Sequence, residues 1–262
     1  MTDTPTTSRH VILFSGGMDS VLAAYSNPEA DLLFVGTDTK QSFLEKESAG
    51  GVAFRMGRRL YYRHTNMPAP VGSNAYVANR NLRFVLEAID LARFLHRKTP
   101  TGTPLPRIVV VLGALKDDRV PDKTPEAFEA MGELLSLIGD DTVRVMSPFH
   151  HLTKGQMLAE ILADKRRVEE VTALLRASVS CYKLTENAAF CGCGDCPSCF
   201  RKAVALLSEG ISCVSWFEEN PMRSTTAEGY RTRLEDGTLE AQGYELDRIR
   251  RMTAAFILAG SK

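Results

Sequence analysis

Short apolar runs rich in β-branched residues alternate with helical patterns through the first part of the chain, and one of them, Ile108-Val109-Val110-Val111-Leu112, has no polar face. Alternation of this kind lays parallel strands under helices on both sides, and a run apolar on both faces is a strand buried between them. A third observation is the strand Val11-Ile12-Leu13-Phe14 leading directly into Ser15-Gly16-Gly17-Met18-Asp19-Ser20 and a helix. Together they predict an α/β fold: a Rossmann-like parallel sheet of about five strands with a small helical C-terminal subdomain. At 262 residues the chain can bury a full core.

In chain order, the pattern predicts strands at 10–14, 31–36, 60–64, 107–113 and 142–146, with helices at 18–26, 43–57, 76–97 and 125–138. In the third helix Leu82, Val85, Leu86, Ile89 and Ala92 form an apolar stripe for packing on the sheet. The proline-rich stretch from Thr99 to Pro106 is a loop. From about 150 the pattern changes to helices and cysteines, which divides the chain into an α/β domain, 1–150, and a helical subdomain, 151–262.

The turn from Ser15 to Ser20 is suited to an anion. Gly16 and Gly17 permit close backbone approach, Ser15 and Ser20 add hydroxyls, and the new helix contributes free N–H groups and its dipole. It is not the longer Gly-x-x-x-x-Gly-Lys-Ser/Thr loop that serves γ-phosphoryl transfer. Ligands of open parallel sheets sit beyond the carboxyl ends of the strands. The segments there are Ser15–Ser20, Asp38–Gln41, Gly113–Asp122 and Ser147-Pro148, with Thr153 and Lys154 opening the next helix. Adjacent His150 and His151 at the end of the fifth helix–strand unit read as surface or satisfied polar groups.

Cys193-Gly-Asp-Cys196-Pro-Ser-Cys199 supplies three thiolates at two-residue spacing, and Cys181 completes a tetrahedron suited to a closed, structural Zn²⁺ site. Such sites release roughly 10–16 kcal/mol on metal binding. Cys191 in place of Cys181, and an iron–sulfur cluster in place of zinc, are the competing readings; Cys213 reads as a core thiol. Thirty-two basic residues balance thirty-two acidic ones with no long basic block, which argues against general nucleic-acid binding and for a small polar ligand. Residues 1–10 are polar, and no apolar run reaches the ~20 residues of a membrane span. With the clustered thiols, this gives a cytoplasmic, non-membrane expectation.

The nucleotide turn followed by this cluster resembles the 7-cyano-7-deazaguanine synthase (QueC) family of N-type ATP pyrophosphatases, which have a PP-loop and a HUP-type fold. Asn79-Arg80-Asn81 is similar to the family's Gly-Arg-Asn, Gly113 to its glycine after the fourth strand, and Lys154 to its lysine after the fifth. Ser180-Cys181-Tyr182 and the three later cysteines are similar to its zinc-ligand segments. The resemblance implies ATP, Mg²⁺ and Zn²⁺. It also implies adenylation of 7-carboxy-7-deazaguanine with loss of pyrophosphate, transfer of the acyl group to an amine, and a homodimer.

On that basis Ser15, Gly16, Gly17, Asp19, Ser20 and Gly113 hold the nucleotide, Asp19, Arg80 and Lys154 are catalytic, and Gln41, Asn81, Asp118 and Asp122 hold the base. Departures from the family pattern are plain. Asp38-Thr-Lys-Gln41-Ser-Phe43 keeps the Gln and lacks the His, Pro121-Asp122 survives without Ser-Gly-Tyr before it, and the run from 65 to 78 is short. The last suggests a more open site and an amine larger than ammonia, such as a protein N-terminus, the acceptor of relatives in phage-defence operons. A PP-loop tRNA-thiolating enzyme is the reading from another class, opposed by the balanced charge. For Asp122, helix capping competes with base reading.

Overall fold

The structure, a computed structural model, describes residues 8–67, 77, 79–99, 103, 106–116, 118, 120–139, 142–181, 183 and 191–260, without the side chains of Lys40 and Gln41. Its strands are β1 (Ser8–Leu13), β2 (Asp31–Gly36), β3 (Leu60–His64), β4 (Arg107–Val111) and β5 (Val143–Met146). All pairings are parallel, in the order β3-β2-β1-β4-β5. Ile12 on the central strand lies level with Leu32 on one side and Val111 on the other. Because the chain winds outward from β1 to β3 and then restarts at β4, the switch in strand order falls between β1 and β4. Their carboxyl ends open the cleft in which such folds bind ligands.

Side-chain alternation along the strands builds two cores. One sheet face carries Val11, Leu33, Ile108, Val110 and Val145 against α3 (Arg80–His96) and α4 (Pro125–Ile138). The other carries Ile12, Leu32, Phe34, Val109 and Val111 against α1 (Met18–Ser26), α2 (Lys40–Arg55), α5 (Lys154–Leu162), α6 (Val168–Ala177) and α7 (Pro197–Ser208). The helices after residue 150 thus share one continuous core with the sheet. α8 (Thr225–Glu235), α9 (Thr238–Ala241) and α10 (Leu246–Gly260) follow, with α10 packed along α7.

Local chemistry sets the helix starts. Thr39, Thr124 and Thr153 cap α2, α4 and α5 by accepting the N–H of Ser42, Ala127 and Gln156. The Thr39 cap explains why α2 begins ahead of the expected residue 43. α3 begins at Arg80 rather than 76, because Asn79 sits in the left-handed region at φ 60°. Asn tolerates that conformation best after glycine, the residue of the family pattern at this position. The α3 stripe needs one correction. Val85, Ile89 and Ala92 are buried, but Leu86 is 45% exposed; it is turned about 100° from Val85, off the face that meets the sheet.

Candidate functional site

The turn after β1 is braced from three directions. Gly16 has φ +74°, and a Cβ there would lie 2.4 Å from the Ala49 backbone nitrogen, so the missing side chain makes room for α2. This is a different use of glycine from the ligand approach that the sequence suggested. Ser48 on α2 donates its hydroxyl to the Gly16 carbonyl at 3.0 Å. Within the turn, the Ser20 hydroxyl donates to the Gly17 carbonyl at 2.9 Å and lies 3.3 Å from the Ser15 hydroxyl. Gly113, just after β4, faces the first turn of α1: a Cβ would stand 3.0 Å from the Asp19 carbonyl carbon and 3.1 Å from the Ser20 nitrogen. Its smallness lets β4 and the turn close on each other.

Lys154 opens α5, where the Thr153–Gln156 capping box fixes the helix start. The Thr153 hydroxyl also donates to Asp247 of α10 at 2.5 Å, and Asp247 pairs with Arg251. Thus held, the Lys154 ammonium forms an ion pair with Asp19 in the first turn of α1. Its charge also acts on Asp118 in the segment after β4. Asp118 is tied by the Lys123 ammonium at 3.1 Å and the Leu115 N–H at 3.3 Å. Burial alone would raise its pKa, but Lys123, Lys154 and these hydrogen bonds outweigh it and hold the carboxyl below its ordinary value.

Asp122 and Asn81 meet at the start of α3. Asp122 Oδ2 accepts the Asn81 N–H, and the Asn81 side-chain amide donates to the Asp122 carbonyl, both at 3.4 Å. Asp122 Oδ1 is buried without any hydrogen-bond partner, the one such side-chain atom among the described residues. The cap of α4 falls to Thr124, while Asp122 Oδ2 accepts an N–H in the first turn of α3. Arg80 is exposed at the first position of α3, while Gln41 lies on α2 with its side chain outside the described residues, as are Asp117, Arg119 and Tyr182. His150 is a satisfied polar group, 3.0 Å from the Lys123 carbonyl and against the Phe128 ring; His151 is exposed. At the ends of β2 and β3, His64 Nε2 lies 3.0 Å from Asp38, whereas Phe43, at the place of the family histidine, is 66% exposed.

The sulfurs of Cys181, Cys193, Cys196 and Cys199 lie within 4.8 Å of one another and are buried, with Cys181–Cys196 at 3.9 Å and Cys196–Cys199 at 3.4 Å. A tetrahedral zinc–thiolate site has sulfur–sulfur edges of about 3.8 Å, so these four fit the ion. No cysteine among the described residues is in a disulfide. Crowding against the Cys196 thiol pushes Cys181 up to about 12, and contact with Cys181 and Cys196 raises Cys199, so a metal must displace protons to enter. Cys191 stands outside the group and Cys213 is fully buried, held high by desolvation.

Three further residues support the site through contacts that sequence reasoning did not anticipate. Ser180 Oγ accepts the Met18 N–H of the glycine turn at 3.1 Å. The Val179 N–H donates to Gly16 O and Ser48 Oγ. Lys202, fully buried on α7, donates to the carbonyls of Leu175 and Ser178 and to the Ser178 hydroxyl at 2.5–2.9 Å. Desolvation lowers its pKa, against the opposing influence of the Cys191 thiol. Such long-range contacts follow no short sequence pattern; adjacency to Cys181 is the one clue to Ser180.

A parallel sheet with a glycine turn at its switch point and a buried four-thiol cluster beside it defines an α/β protein of the PP-loop class. Comparison with known proteins narrows this. The sequence model of the family described as "Queuosine biosynthesis protein QueC" matches residues 58–210. Among curated relatives, the 7-cyano-7-deazaguanine synthase of Campylobacter fetus subsp. fetus (strain 82-40) is 26% identical over 217 residues, covering 72% of this chain and 88% of the relative. That of Acidobacterium capsulatum is 28% identical over 237 residues, covering 78% and 93%, and that of Methanopyrus kandleri 27% over 226 residues, covering 77% and 95%. The chain belongs to the QueC family. The matched stretch contains Arg80, Asn81, Gly113, Asp118, Asp122, Lys154 and the four clustered cysteines, whereas Ser15–Ser20 precede it and residues 211–260 follow it. No helix among the described residues is long and apolar enough to cross a membrane.

Proposed function

We propose that the protein is an ATP-dependent ligase that adenylates the carboxylate of 7-carboxy-7-deazaguanine and passes the acyl group to an amine, giving an amide or, by a further dehydration, the nitrile. The relatives' shared name, 7-cyano-7-deazaguanine synthase, supports the substrate class. The observation that carries the reading is the position of Lys154, which pairs with Asp19 in the glycine turn and also acts on Asp118, on the segment leading to Asp122. This arrangement supports a reading in which the glycine turn and the Asp118–Asp122 segment serve one site.

In this reading Ser15, Gly16, Gly17, Ser20 and Gly113 shape the nucleotide site, and Lys154 with Arg80 stabilises charge as the α–β phosphate bond breaks. Asp19 orients Lys154. Mg²⁺ bound with ATP would supply further charge neutralisation there. The substrate carboxylate attacks the α-phosphorus and pyrophosphate leaves; the amine then attacks the acyl carbon, AMP leaves with one carboxylate oxygen, and the nitrogen gives up a proton. Asp122, with Asn81 beside it, accepts the ring N–H and exocyclic NH₂ of the guanine-like edge, a paired contact that employs the oxygen left unpartnered in the protein. Cys181, Cys193, Cys196 and Cys199 hold structural Zn²⁺, and residues 1–150 and 151–262 serve as the ATP-binding and metal-binding parts.

The experiment is mass spectrometry of purified protein with ATP, Mg²⁺, 7-carboxy-7-deazaguanine and either ammonium or peptides with free N-termini. An amide, nitrile or peptide conjugate of the deazaguanine, each formed with AMP, supports the proposal and identifies the acceptor. ATP consumption that ignores the deazaguanine overturns it.

A further inference from the structure

The glycine turn is held by a segment far away in sequence. Ser178, Val179 and Ser180 run from the end of α6 to Cys181, and each contacts a group that fixes the turn or the segment itself. The Val179 N–H donates to the Gly16 carbonyl at 3.2 Å and to the Ser48 hydroxyl at 2.9 Å, while Ser48 donates to the same Gly16 carbonyl at 3.0 Å. One residue on, Ser180 Oγ accepts the Met18 N–H, the first helical N–H of α1, at 3.1 Å. Gly17, the residue at the cap position, has no side chain to do this. α1 therefore takes its cap from a residue 162 positions away.

The segment is anchored at both ends. Behind it, Lys202 of α7 gathers the Leu175 and Ser178 carbonyls and the Ser178 hydroxyl. Ahead of it, Cys181 belongs to the four-thiol cluster, whose Cys199 also lies on α7. A buried ammonium with three acceptors is a rigid tie, since breaking it would leave an unsolvated charge. We infer that Ser180 is a positioning residue for the nucleotide turn: held between Lys202 and the cysteine cluster, its hydroxyl fixes the first turn of α1 and so sets ATP affinity without touching the reacting atoms. The inference rests on the nucleotide reading of the turn.

Calorimetric titration of ATP in the presence of Mg²⁺, and of 7-carboxy-7-deazaguanine separately, tests it with native protein, Ser180→Ala and Ser180→Thr. Loss of one neutral hydrogen bond at the turn predicts ATP binding weakened about fivefold in Ser180→Ala. Deazaguanine affinity and zinc content should stay unchanged, loss of the cap should lower Tm by no more than about 4 °C, and the hydroxyl of Ser180→Thr should restore ATP affinity to within about twofold. Native-like ATP binding by Ser180→Ala overturns the inference, as does tighter binding, which would mean that the hydroxyl occupies a phosphate position. Equal loss in Ser180→Thr, or parallel loss of both ligands, also overturns it. If Ser180→Ala is insoluble, Ser180→Cys, nearly isosteric with a weak acceptor, takes its place under the same criteria. Native protein that binds no ATP at all removes the nucleotide reading itself, and the inference with it.

Discussion

Asp122→Asn is the sharpest test of how the base is read. In the structure Asp122 Oδ2 accepts the Asn81 N–H at 3.4 Å, while Oδ1 is buried and unpartnered. Asparagine keeps an acceptor for Asn81 and turns the other position into an NH₂, which meets the N–H and NH₂ donors of a guanine-like edge donor to donor. A hydrogen bond to a charged group contributes about 1.5–3 kcal/mol, and the misplaced donor adds to its loss. The expected loss of 7-carboxy-7-deazaguanine affinity is about 10²-fold. Stability should barely respond, because the oxygen replaced has no partner to lose; a change under ~0.5 kcal/mol keeps Tm within about 2 °C. Calorimetry with the deazaguanine and with ATP, plus a melting curve, decides it. Unchanged deazaguanine affinity would rule out base reading by Asp122, and so would equal loss of both ligands with a lower Tm, which would make Asp122 a structural carboxylate.

Three other outcomes are expected. Asp19→Ala and Lys154→Met should each lower turnover about 10²-fold, and because the two side chains form one pair the double variant should lose little more than either alone; additive losses would show independent roles. The protein should hold zinc at one ion per chain without colour and release it as pH falls and the thiols regain protons, and Cys196→Ser should be insoluble or unfolded; absorbance near 400 nm would instead indicate iron and sulfur. Lys123 holds Asp118 below its ordinary pKa, so this pair's stabilisation is complete above the unfolded carboxylate value near 4 and drains as pH falls through the lower folded value. Denaturant unfolding should show native protein exceeding Lys123→Met by about 1 kcal/mol at pH 7 and by progressively less as pH falls below about 4.

The sheet was legible because period-two burial and uniformly apolar runs are local signals: Ile108–Leu112 could only be a central strand, and the glycine turn after Phe14 announced the switch point. Thr39 and Asn79 show the limit for boundaries, where a cap or a left-handed residue moves a helix start by a few positions. The cysteine spacing selected the ligand group because x₂ spacing directly constrains sulfur geometry. By contrast, nothing local distinguishes Asp118, already tied to Lys123, from Asp122, whose Oδ1 is unpartnered; that difference lies in three-dimensional packing. The same holds for His64, which reaches Asp38 from the neighbouring strand, and for Lys202, whose acceptors lie more than twenty residues earlier. Gly16 was found for its flexibility, yet the structure uses that freedom to admit α2.

In the proposed reaction a carboxylate oxygen of the substrate attacks the α-phosphorus of ATP at the Ser15–Ser20 turn. It is tested most directly with 7-carboxy-7-deazaguanine carrying ¹⁸O in its carboxylate, turned over with unlabelled ATP and an amine, followed by mass spectrometry of the nucleotide and phosphate products. Adenylation predicts one ¹⁸O in AMP, unlabelled pyrophosphate and no ADP. Label in inorganic phosphate with ADP as the nucleotide product would place the attack at the γ-phosphorus and contradict the account.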